Sequence, residues 1–507
     1  MSKRPHILIF NPDEWRGDIL GHVGNPAAVT PNLDRVVATD GVSLSQTYCQ
    51  NPISMPSRCS FMTGWYPHVR GHRSGFHLLR EGEPNLLLTL RQHGYHVFWA
   101  GKNDLVPAQH GFRRYCDVKY LATDADVKRW GHTDRREYWP WFQTQGKIDS
   151  DTYYSFFVGK MDKGDDQILV DKDWSMVLGT IDHIKQAASW ASAERPMCIY
   201  LTLGFPHCPY QVEEPYFSAI DRRKLPPRLQ PPEGWRGKPS VLKGIHEKQN
   251  MQGWTEDRWT ELRATYYGMC ARVDAQFGMV MQALRDAGLY DDTAVFFLAD
   301  HGDFAGDYGL VEKSSNTFED CLTRVPFIVK PPADVACQPG VRDALVELID
   351  FPATVEHFAK IEPGHTHFGR TLLPLIRGET EEHRDAVFCE GGRLADEMHC
   401  AAGRANPTDE PDADMEPGRA MHYWPRLSTE RDPVAHTKAT MCRTKDFKYV
   451  HRLYESDELY DLREDPNELN NVIDDPAYAH VVERMQDRTL TFYQATCDAV
   501  PHDMDQR

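Results

Sequence analysis

The chain has 507 residues, of which 41% are hydrophobic and 26% charged, a composition typical of a globular protein with a large domain and a smaller companion. Its 57 basic and 75 acidic residues give a formal charge of -18, which disfavours nonspecific binding to nucleic acid but leaves room for a local basic pocket. No apolar run approaches the about 20 residues that cross a bilayer, so we expect no membrane partner.

The first predicted element is a buried strand, His6 to Phe10, which follows the basic start Met1 to Pro5. The run is too short for the apolar core of a secretory signal, so we expect a cytoplasmic protein unless a leader has been removed. The run ends in Asn11-Pro12-Asp13-Glu14, which puts acidic side chains at the carboxyl end of a strand. Open α/β sheets bind their ligands at that edge.

Three later runs repeat this pattern, each a strand-like stretch followed by polar residues. They are Tyr95 to Ala100 before Gly101-Lys102-Asn103-Asp104, Pro196 to Gly204 before Phe205 to Pro209, and Thr293 to Ala299 before Asp300-His301-Gly302-Asp303. The end of a helix, Thr89 to Gly94, precedes the first run, and a long helical pattern from Thr255 to Gly288 precedes the last. This alternation predicts an α/β fold whose strand ends share one crevice.

The second half of the chain is less regular. Proline-rich loops around Leu225 to Pro232 indicate a surface insertion, and Glu379 to Arg384 is a polar linker. We therefore predict a catalytic domain over residues 1–380 and a smaller C-terminal α+β domain over residues 381–507. Within the second domain we expect an extended loop, a short antiparallel sheet and a final helix, at Ala401 to Ser428, Lys448 to Val450 with Glu458 to Leu462, and Ala477 to Val500.

Twelve cysteines are scattered along the chain without C-x-x-C pairs or the Cys/His spacing of a zinc site. This predicts that most are reduced, partly buried thiols that act as small hydrophobic side chains. Trp99, Tyr266 and Tyr267 are interpreted as core aromatic residues.

One segment carries a potential nucleophile. Asn51 to Arg58 reads N-P-I-S-M-P-S-R and continues into Cys59 to Gly64. Its core combines a hydroxyl with a proline turn and a cation, and by itself it also fits an ordinary surface turn. The stretch matches the C/S-x-P-S-R signature of sulfatases, in which the first residue is oxidised after translation to formylglycine. Ser54 stands at that position.

Further segments resemble the sulfatase family in the same order along the chain. They are Asp13 to Gly21, Thr30 to Arg35, Tyr66-Pro67-His68, Thr293 to Gly302, Gly306 to Lys313, Arg324-Val325-Pro326 and Glu458 to Pro466. The resemblance covers nearly the whole chain. It implies a sulfuric ester hydrolase with an alkaline-phosphatase-like α/β fold, in which helices flank a large mixed, mostly parallel sheet.

Hard oxygen ligands and one imidazole occur together in two of these motifs. Asp13, Asp300 and His301, with Glu14 as a fourth protein ligand, suit a single divalent cation that also contacts the residue derived from Ser54. The resemblance implies calcium. The histidine at position 301, where many relatives have asparagine, also occurs in members proposed to use manganese or iron, and magnesium is a further alternative. Without the family match, the two aspartates would equally fit loop or helix caps.

The resemblance also implies roles for other residues. A hydrated aldehyde derived from Ser54 would attack sulfur with one hydroxyl, and its second hydroxyl would then expel sulfate by re-forming the carbonyl. Arg58 would hold the diol, and Lys102 and Lys313 would bind the nonbridging oxygens. His207 is our candidate for protonating the leaving oxygen.

At three positions the sulfatase pattern does not transfer directly to this chain. Many sulfatases read G-K-W-H where this chain has Gly101-Lys102-Asn103-Asp104, and a carboxylate cannot donate the hydrogen bond of that histidine unless it is protonated. Glu14 replaces a more frequent aspartate. Ser54 requires a maturation enzyme different from that of cysteine-type sulfatases, unless the serine replaces a native cysteine.

The leading hypothesis is hydrolysis of a sulfate monoester with a sugar, aryl or alkyl leaving group, and a formylglycine-generating enzyme is the expected protein partner. The alternatives are a phosphonate monoester or phosphodiester hydrolase of the same superfamily, and an inactive homologue that binds anionic glycans. A homo-oligomer is compatible with the sequence. We expect three segments to set substrate choice, namely Gly71 to Glu83, Trp130 to Phe157 with Trp139 and Trp141, and His399 to Trp424.

Overall fold

The structure is a computed structural model that describes residues 4–136, 150–162, 168–192, 194–401, 422–502 and 504. These residues form a nine-stranded sheet, a four-stranded sheet and a two-stranded ribbon. The strands are β1 His6–Asn11, β2 Val42–Tyr48, β3 His96–Gly101, β4 Val118–Tyr120, β5 Phe157–Met161, β6 Met197–Thr202, β7 Tyr210–Glu213, β8 Thr293–Leu298, β9 Arg324–Val325, β10 Phe327–Lys330, β11 Gly340–Glu347, β12 Val387–Gly391, β13 Ala439–Arg443, β14 Phe447–Arg452 and β15 Glu458–Asp461.

Helices connect these strands in the alternation that the sequence predicts. They are α1 Pro31–Thr39, α2 Ser54–Thr63, α3 Pro67–Arg70, α4 Leu86–Gln92, α5 Asp124–Trp130, α6 Lys172–Ala187, α7 Tyr216–Ala219, α8 Ser240–Gln249, α9 Glu256–Asp286, α10 Asp320–Thr323, α11 Asp350–Ala359, α12 Leu373–Arg377, α13 Trp424–Thr429 and α14 Ala479–Thr496.

Strand β1 lies in the middle of the nine-stranded sheet. The strand order is β11-β2-β10-β8-β1-β6-β3-β4, with β9 paired to β2 beside this path. All six residues of β1 are buried, as expected for a central parallel strand covered on both faces. This explains why its sequence, H-I-L-I-F-N, is a nearly continuous apolar run instead of alternating.

The large sheet is mixed and mostly parallel, which confirms the predicted fold class. Strand β1 runs parallel to β6 and β8, β3 runs parallel to β6 and β4, and β2 runs parallel to β11. Only β9 and β10 pair antiparallel with their neighbours among the described strands of this sheet. The carboxyl ends of β1, β3, β6 and β8 therefore meet at one edge.

The second sheet contains β12 to β15 and is antiparallel throughout. Helix α14 packs against it, and the ring of Phe492 stacks on Phe388 with centroids 3.9 Å apart. Val481 and Met485 of the same helix lie in this apolar cluster. The predicted C-terminal sheet and final helix are confirmed, while the predicted domain boundary between residues 380 and 381, which falls between α12 and β12, stays a prediction.

The extended loop expected from Ala401 to Ser428 is wrong at its C-terminal end, where α13 begins at Trp424. Tertiary packing against α8 explains the helix. Gly244 of α8 allows this approach, because a Cβ there would lie 2.5 Å from the Thr429 methyl carbon. Residues 402–421 of the expected loop lie outside the described residues.

Other expectations from composition agree with the structure. Trp99, Tyr266 and Tyr267 are buried. The twelve cysteines are free, and all except Cys337 and Cys497 are buried. Within the described ranges, no helix combines the length and the apolar character needed to span a membrane.

The stacked pair between α14 and the second sheet gives a test of the C-terminal packing. Phe492→Ala removes a buried ring and should lower the free energy of unfolding by about 3–5 kcal/mol. Leu490→Ala on the same helix is the matched control, since Leu490 is 67% exposed and its loss should change that free energy by less than about 0.5 kcal/mol. Denaturant unfolding measures both, and equal midpoints for the two variants would contradict this packing.

Candidate active site

Four strand ends bring the predicted site residues to one crevice. Asp13 lies two residues beyond β1, Lys102 directly follows β3, and Asp300 lies two residues beyond β8. His207 lies on the loop after β6. Because these strands are parallel, their carboxyl ends carry the polar residues to the same edge of the sheet.

Helix α2 presents Ser54 to this crevice as its first residue. Pro56 is tolerated in the first turn, where a backbone N–H would lack a helical partner in any case. Gly64 ends the helix in the left-handed conformation, with φ of 72°. The Ser57 hydroxyl donates a hydrogen bond of 2.7 Å to the Asp300 carbonyl and so ties the helix to the loop after β8.

The Ser54 hydroxyl lies between an acidic and an imidazole group. Its Oγ is 3.1 Å from Asp13 Oδ1 and 2.9 Å from His301 Nε2. His301 Nδ1–H donates to the Gly302 carbonyl at 2.9 Å, so the Nε2 lone pair faces Ser54. Burial lowers the pKa of His301, which keeps the ring neutral. Position 302 must be glycine, because a Cβ there would lie 2.0 Å from the Cys321 carbonyl oxygen.

Asp300 is held by three donors. The backbone N–H groups of Glu14 and His301 each donate to Oδ1 at 3.1 Å, and Arg58 Nε donates to Oδ2 at 2.8 Å. Arg58 is fully buried, and its Nη1 and Nη2 have no hydrogen-bond partner among the described residues. A buried donor without a partner is costly, so these nitrogens fit an oxygen-rich ligand.

Asp13 also contacts Lys102, and Lys102 lies 3.0 Å from Asp104 Oδ2. Burial alone would raise the pKa of Asp13, but Lys102 and Arg58 hold it well below its usual range. Asp104 Oδ2 is also 3.9 Å from Arg58 Nε. The Asp104 carboxylate is therefore a counter-ion for two cations.

The Glu14 carboxylate lies in a second group, with Lys313 and His207. Lys313 Nζ donates to Glu14 Oε2 at 3.1 Å and lies 3.0 Å from His207 Nε2. Burial would lower the pKa of Lys313, but Glu14 and Glu312 raise it well above its usual value, so the amine stays charged. Glu14 adopts a positive φ of 64°, uncommon for a non-glycine residue, and the Tyr266 hydroxyl fixes its carbonyl at 2.6 Å.

His207 is arranged as an acceptor toward the crevice. Its Nδ1–H donates to the Cys208 carbonyl at 2.6 Å, so Nε2 accepts from the Lys313 ammonium. Burial, together with the charge of Lys313, lowers the pKa of His207 to about 3. The proton nearest to Nε2 is therefore carried by Lys313, and the proton-donor role of His207 stays a prediction.

The donor set fits one divalent cation. Asp13, Asp300 and His301 offer two carboxylates and an imidazole whose ligand atoms all lie within 4.8 Å of one another. Glu14 is not in this group, but its Oε1 is buried without a hydrogen-bond partner among the described residues, as a further ligand atom would be. Oxygen-rich sets with one imidazole accept calcium, magnesium, manganese or iron, so the residues do not select among them.

A cavity of about 740 Å³ adjoins Lys102 and His207. Its apolar wall includes Met161, Met176 and Tyr423. It borders two of the segments expected to set substrate choice, but residues 137–149, with Trp139 and Trp141, and residues 402–421 lie outside the described residues. The third segment, Gly71 to Glu83, packs against helix α2 next to Ser54. A Cβ at Gly75 of this segment would lie 3.0 Å from Met55 Sδ.

Two contacts that support the crevice are not predicted from the sequence. Glu312 lies 3.3 Å from Lys313 Nζ and accepts two hydrogen bonds, of 2.8 and 3.1 Å, from Arg426 of α13. Tyr210 donates to Asp303, whose pKa burial raises to about 7. The only sequence signal for the first contact is that Glu312 adjoins Lys313. Arg426 lies more than a hundred residues away.

Comparisons with known proteins identify related chains. A family model described as Sulfatase matches residues 5–361, and one described as N-sulphoglucosamine sulphohydrolase, C-terminal, matches residues 422–495. An arylsulfatase of Clostridium perfringens (strain 13 / Type A) is 26% identical over 418 residues, which cover 78% of this chain and 83% of the relative. Arylsulfatase K of Danio rerio is 27% identical over 389 residues, which cover 74% of this chain and 68% of the relative.

Solved structures show the same fold. A phosphonate monoester hydrolase of Agrobacterium radiobacter aligns with a TM-score of 0.72 at 24% identity, covering 97% of this chain and 96% of that chain. The predicted alkaline-phosphatase-like architecture is therefore confirmed over nearly the full length.

The counter-ion role of Asp104 can be measured. Asp104→Asn should lower the free energy of unfolding, because Arg58 and Lys102 lose a shared negative charge. Breaking a fully buried pair costs about 3–5 kcal/mol, but the Lys102 side chain is 37% exposed, so water should reduce the loss to about 1–2 kcal/mol. Asp385→Asn, which breaks an exposed pair with Arg488, is the control and should cost less than about 1 kcal/mol. An Asp104→Asn protein with the wild-type denaturation midpoint would show that this charge is not needed.

Proposed function

This chain belongs to the sulfatase family, a family of sulfuric ester hydrolases, and we propose that it hydrolyses a sulfate monoester at the crevice described above. The observation that carries the proposal is the position of Ser54, whose Oγ lies within 3.1 Å of Asp13 Oδ1 and 2.9 Å of His301 Nε2 at the start of a helix. Arg58, Lys102 and Lys313 surround the same crevice with positive charge.

Two groups would complete the site. Oxidation of Ser54 to formylglycine by a maturation enzyme would supply a hydrated aldehyde, which is a stronger nucleophile than a serine hydroxyl. A divalent cation held by Asp13, Asp300 and His301, with Glu14 beside them, would supply Lewis-acid stabilisation of the reacting oxygens. Calcium is the ion that we propose on the family resemblance.

The protein's own groups prepare the nucleophile. Asp13 Oδ1 and His301 Nε2 both present lone pairs toward the oxygen at position 54, so the same two atoms would hold a divalent cation next to that oxygen and fix its direction. Arg58 Nη1 and Nη2 are buried without a hydrogen-bond partner among the described residues, and Nη2 has only a long ion pair, of 3.5 Å, with Asp13. Both nitrogens can therefore bind an oxygen of the hydrated aldehyde or of the ester. The hydrogen bond from Ser57 to Asp300 keeps the helix from moving away from these groups.

Charge balance favours a substrate with one negative charge. Three cations, Arg58, Lys102 and Lys313, contact four carboxylates of the crevice, which are Asp13, Glu14, Asp104 and Asp300. Glu312 is neutralised separately by Arg426. Burial raises the pKa of Glu14 well above its usual value, and the charge of a bound divalent cation would favour its ionised form. With all four carboxylates ionised, the group carries one net negative charge, and a divalent cation would change this to one positive charge. A sulfate monoester, which is a monoanion, would neutralise it.

The leaving group is best placed toward the cavity beside Lys102 and His207. Lys313 carries the proton nearest to His207 Nε2, so a proton can reach a leaving oxygen from Lys313 directly or through His207. Met161, Met176 and Tyr423 offer apolar contact to an aryl or alkyl group or to the face of a sugar ring.

Phosphonate monoester or phosphodiester hydrolysis is the second candidate, and the same charge argument supports it. These esters are also monoanions, so the crevice would hold them equally well, and the 740 Å³ cavity has room for a larger organic group. Phosphate monoesters carry close to two charges at neutral pH, since a phosphate's second pKa is about 6.

Maturation at residue 54 is directly testable. In a host with only a cysteine-type formylglycine-generating enzyme, the wild-type chain should keep its serine and stay inactive. Ser54→Cys should gain the aldehyde, visible by mass spectrometry, together with ester hydrolysis. Ser54→Ala should remain at background in any host, and Ser60→Ala, a buried serine on the same helix, is the control for folding. A Ser54→Cys protein with verified aldehyde that binds sulfated glycans but hydrolyses no ester would support the binding-protein alternative instead.

Substrate charge gives a separate prediction. Protein verified for the aldehyde should hydrolyse p-nitrophenyl sulfate or a phenyl phosphonate ester with kcat/KM at least about tenfold above p-nitrophenyl phosphate, because the monoanions match the charge of the crevice and the dianion does not. Tenfold corresponds to about 1.4 kcal/mol in the activation free energy. Parallel assays also rank the two proposed activities. Dominance of the phosphonate ester would overturn the sulfatase assignment, and a preference for the phosphate monoester would refute the charge argument.

A further inference from the structure

A second group of metal-ligating side chains lies outside the crevice. We propose that His77, His399 and Cys400 bind a zinc ion and thereby join two chain segments beside the active site. Their ligand atoms all lie within 4.8 Å of one another, although His77 lies more than 300 positions before the adjacent His399 and Cys400. The spacing of these residues along the chain therefore does not predict this site.

The geometry is close to what zinc requires. Tetrahedral zinc binds nitrogen at about 2.0 Å and sulfur at about 2.3 Å, which brings its ligand atoms to about 3.5 Å from one another. The imidazole rings of His77 and His399 have centroids 5.9 Å apart and are nearly perpendicular, at 86°. Small side-chain rotations would therefore close the site, and exposed His399 is free of core packing that would oppose them.

The chemistry of the donor set selects a borderline-soft ion. Two imidazoles and one thiolate suit zinc, whereas calcium and magnesium prefer oxygen. Three protein ligands leave a fourth position for water or another donor. Cys400 is 6% exposed, so the sulfur is shielded while His399 keeps the site open to solvent.

A supporting contact orients one ligand. Ser74 Oγ lies 2.6 Å from His77 Nδ1, and the His77 carbonyl lies 2.7 Å from His72 Nδ1. A hydrogen bond to one ring nitrogen leaves the other as the metal ligand, which is the usual arrangement around zinc-bound histidine. Ser74 is itself largely buried, so it can hold this orientation.

The surroundings carry little uncompensated charge. Arg73 pairs with Glu397 at 2.6 Å, and Arg80 pairs with Glu83 at 2.9 Å, so both nearby guanidinium groups have a counter-ion. The group formed by Glu14, His207 and Cys208 differs in this respect. There the Lys313 ammonium already lies 3.1 Å from Glu14 and 3.0 Å from His207. A cation would have to displace it.

The ion would tie the loop of Ser74 and His77 to the segment after β12. Met398–Cys400 forms a single turn of 3-10 helix, and the pair of Arg73 with Glu397 already links the two segments. The loop also packs beside Met55, the neighbour of Ser54, through Gly75. Zinc would thus fix one wall close to the nucleophile from outside the crevice.

Cobalt titration of the full chain tests the site, because Co²⁺ replaces zinc and shows a near-ultraviolet charge-transfer band only when a thiolate binds it. Metal-stripped protein should develop this band, and one equivalent of zinc should remove it. Cys400→Ser should abolish the band, whereas Cys208→Ser should retain it. Ser74→Ala should keep the band but weaken cobalt binding about tenfold.

The cobalt spectrum distinguishes this site from the crevice, where Asp13, Asp300 and His301 provide no sulfur. Circular dichroism checks that each variant folds, and His399→Ala provides a second, exposed test position that should also lose the band. The proposal is overturned if the wild-type protein shows no thiolate band, if Cys400→Ser retains it, or if Cys208→Ser removes it.

Discussion

The structure depends on mutual neutralisation of charges that are buried at the carboxyl edge of the large sheet. Asp13 and Asp300 are completely buried, and each is stable only because Arg58 and backbone or lysine donors compensate it. Burying unpaired carboxylates at this edge would cost several kcal/mol each. These charges are compensated only when the strand ends, their loops and helix α2 meet at this edge. That arrangement places the Ser54 hydroxyl within hydrogen-bonding distance of the Asp13 carboxylate and the His301 imidazole.

The same constraint extends into the C-terminal part of the chain. Arg426 of α13 neutralises Glu312, which in turn contacts Lys313 of the crevice. Arg384, just before β12, pairs with Asp350 of α11 and lies 2.9 Å from Glu347 at the end of β11. The segment that leads into the second sheet is thus tied to the first sheet by buried ion pairs, and Arg426 of α13 supports the crevice itself.

Much of this arrangement is visible in the sequence because it depends on local patterns. Continuous apolar runs such as β1 predict buried parallel strands, and polar residues directly after four such runs predict their shared edge. The motif around Ser54 predicts a nucleophile together with its arginine. The sequence does not show which charged residues form ion pairs when they lie far apart along the chain. From the sequence, Asp104 only replaces a hydrogen-bond donor, whereas its distances to Lys102 and Arg58 show that it is a counter-ion. Arg426, which pairs with Glu312, lies in a stretch whose composition suggests a loop. The zinc ligands we propose are invisible for the same reason.

The most direct test of the central claim is an anomalous diffraction measurement on crystals of mature protein soaked in manganese. We expect a strong manganese peak bounded by Asp13, Asp300 and His301, within bonding distance of an oxygen on residue 54. A crevice with no such peak, or a peak that contacts Glu14 and His207 while leaving residue 54 unbound, would contradict it.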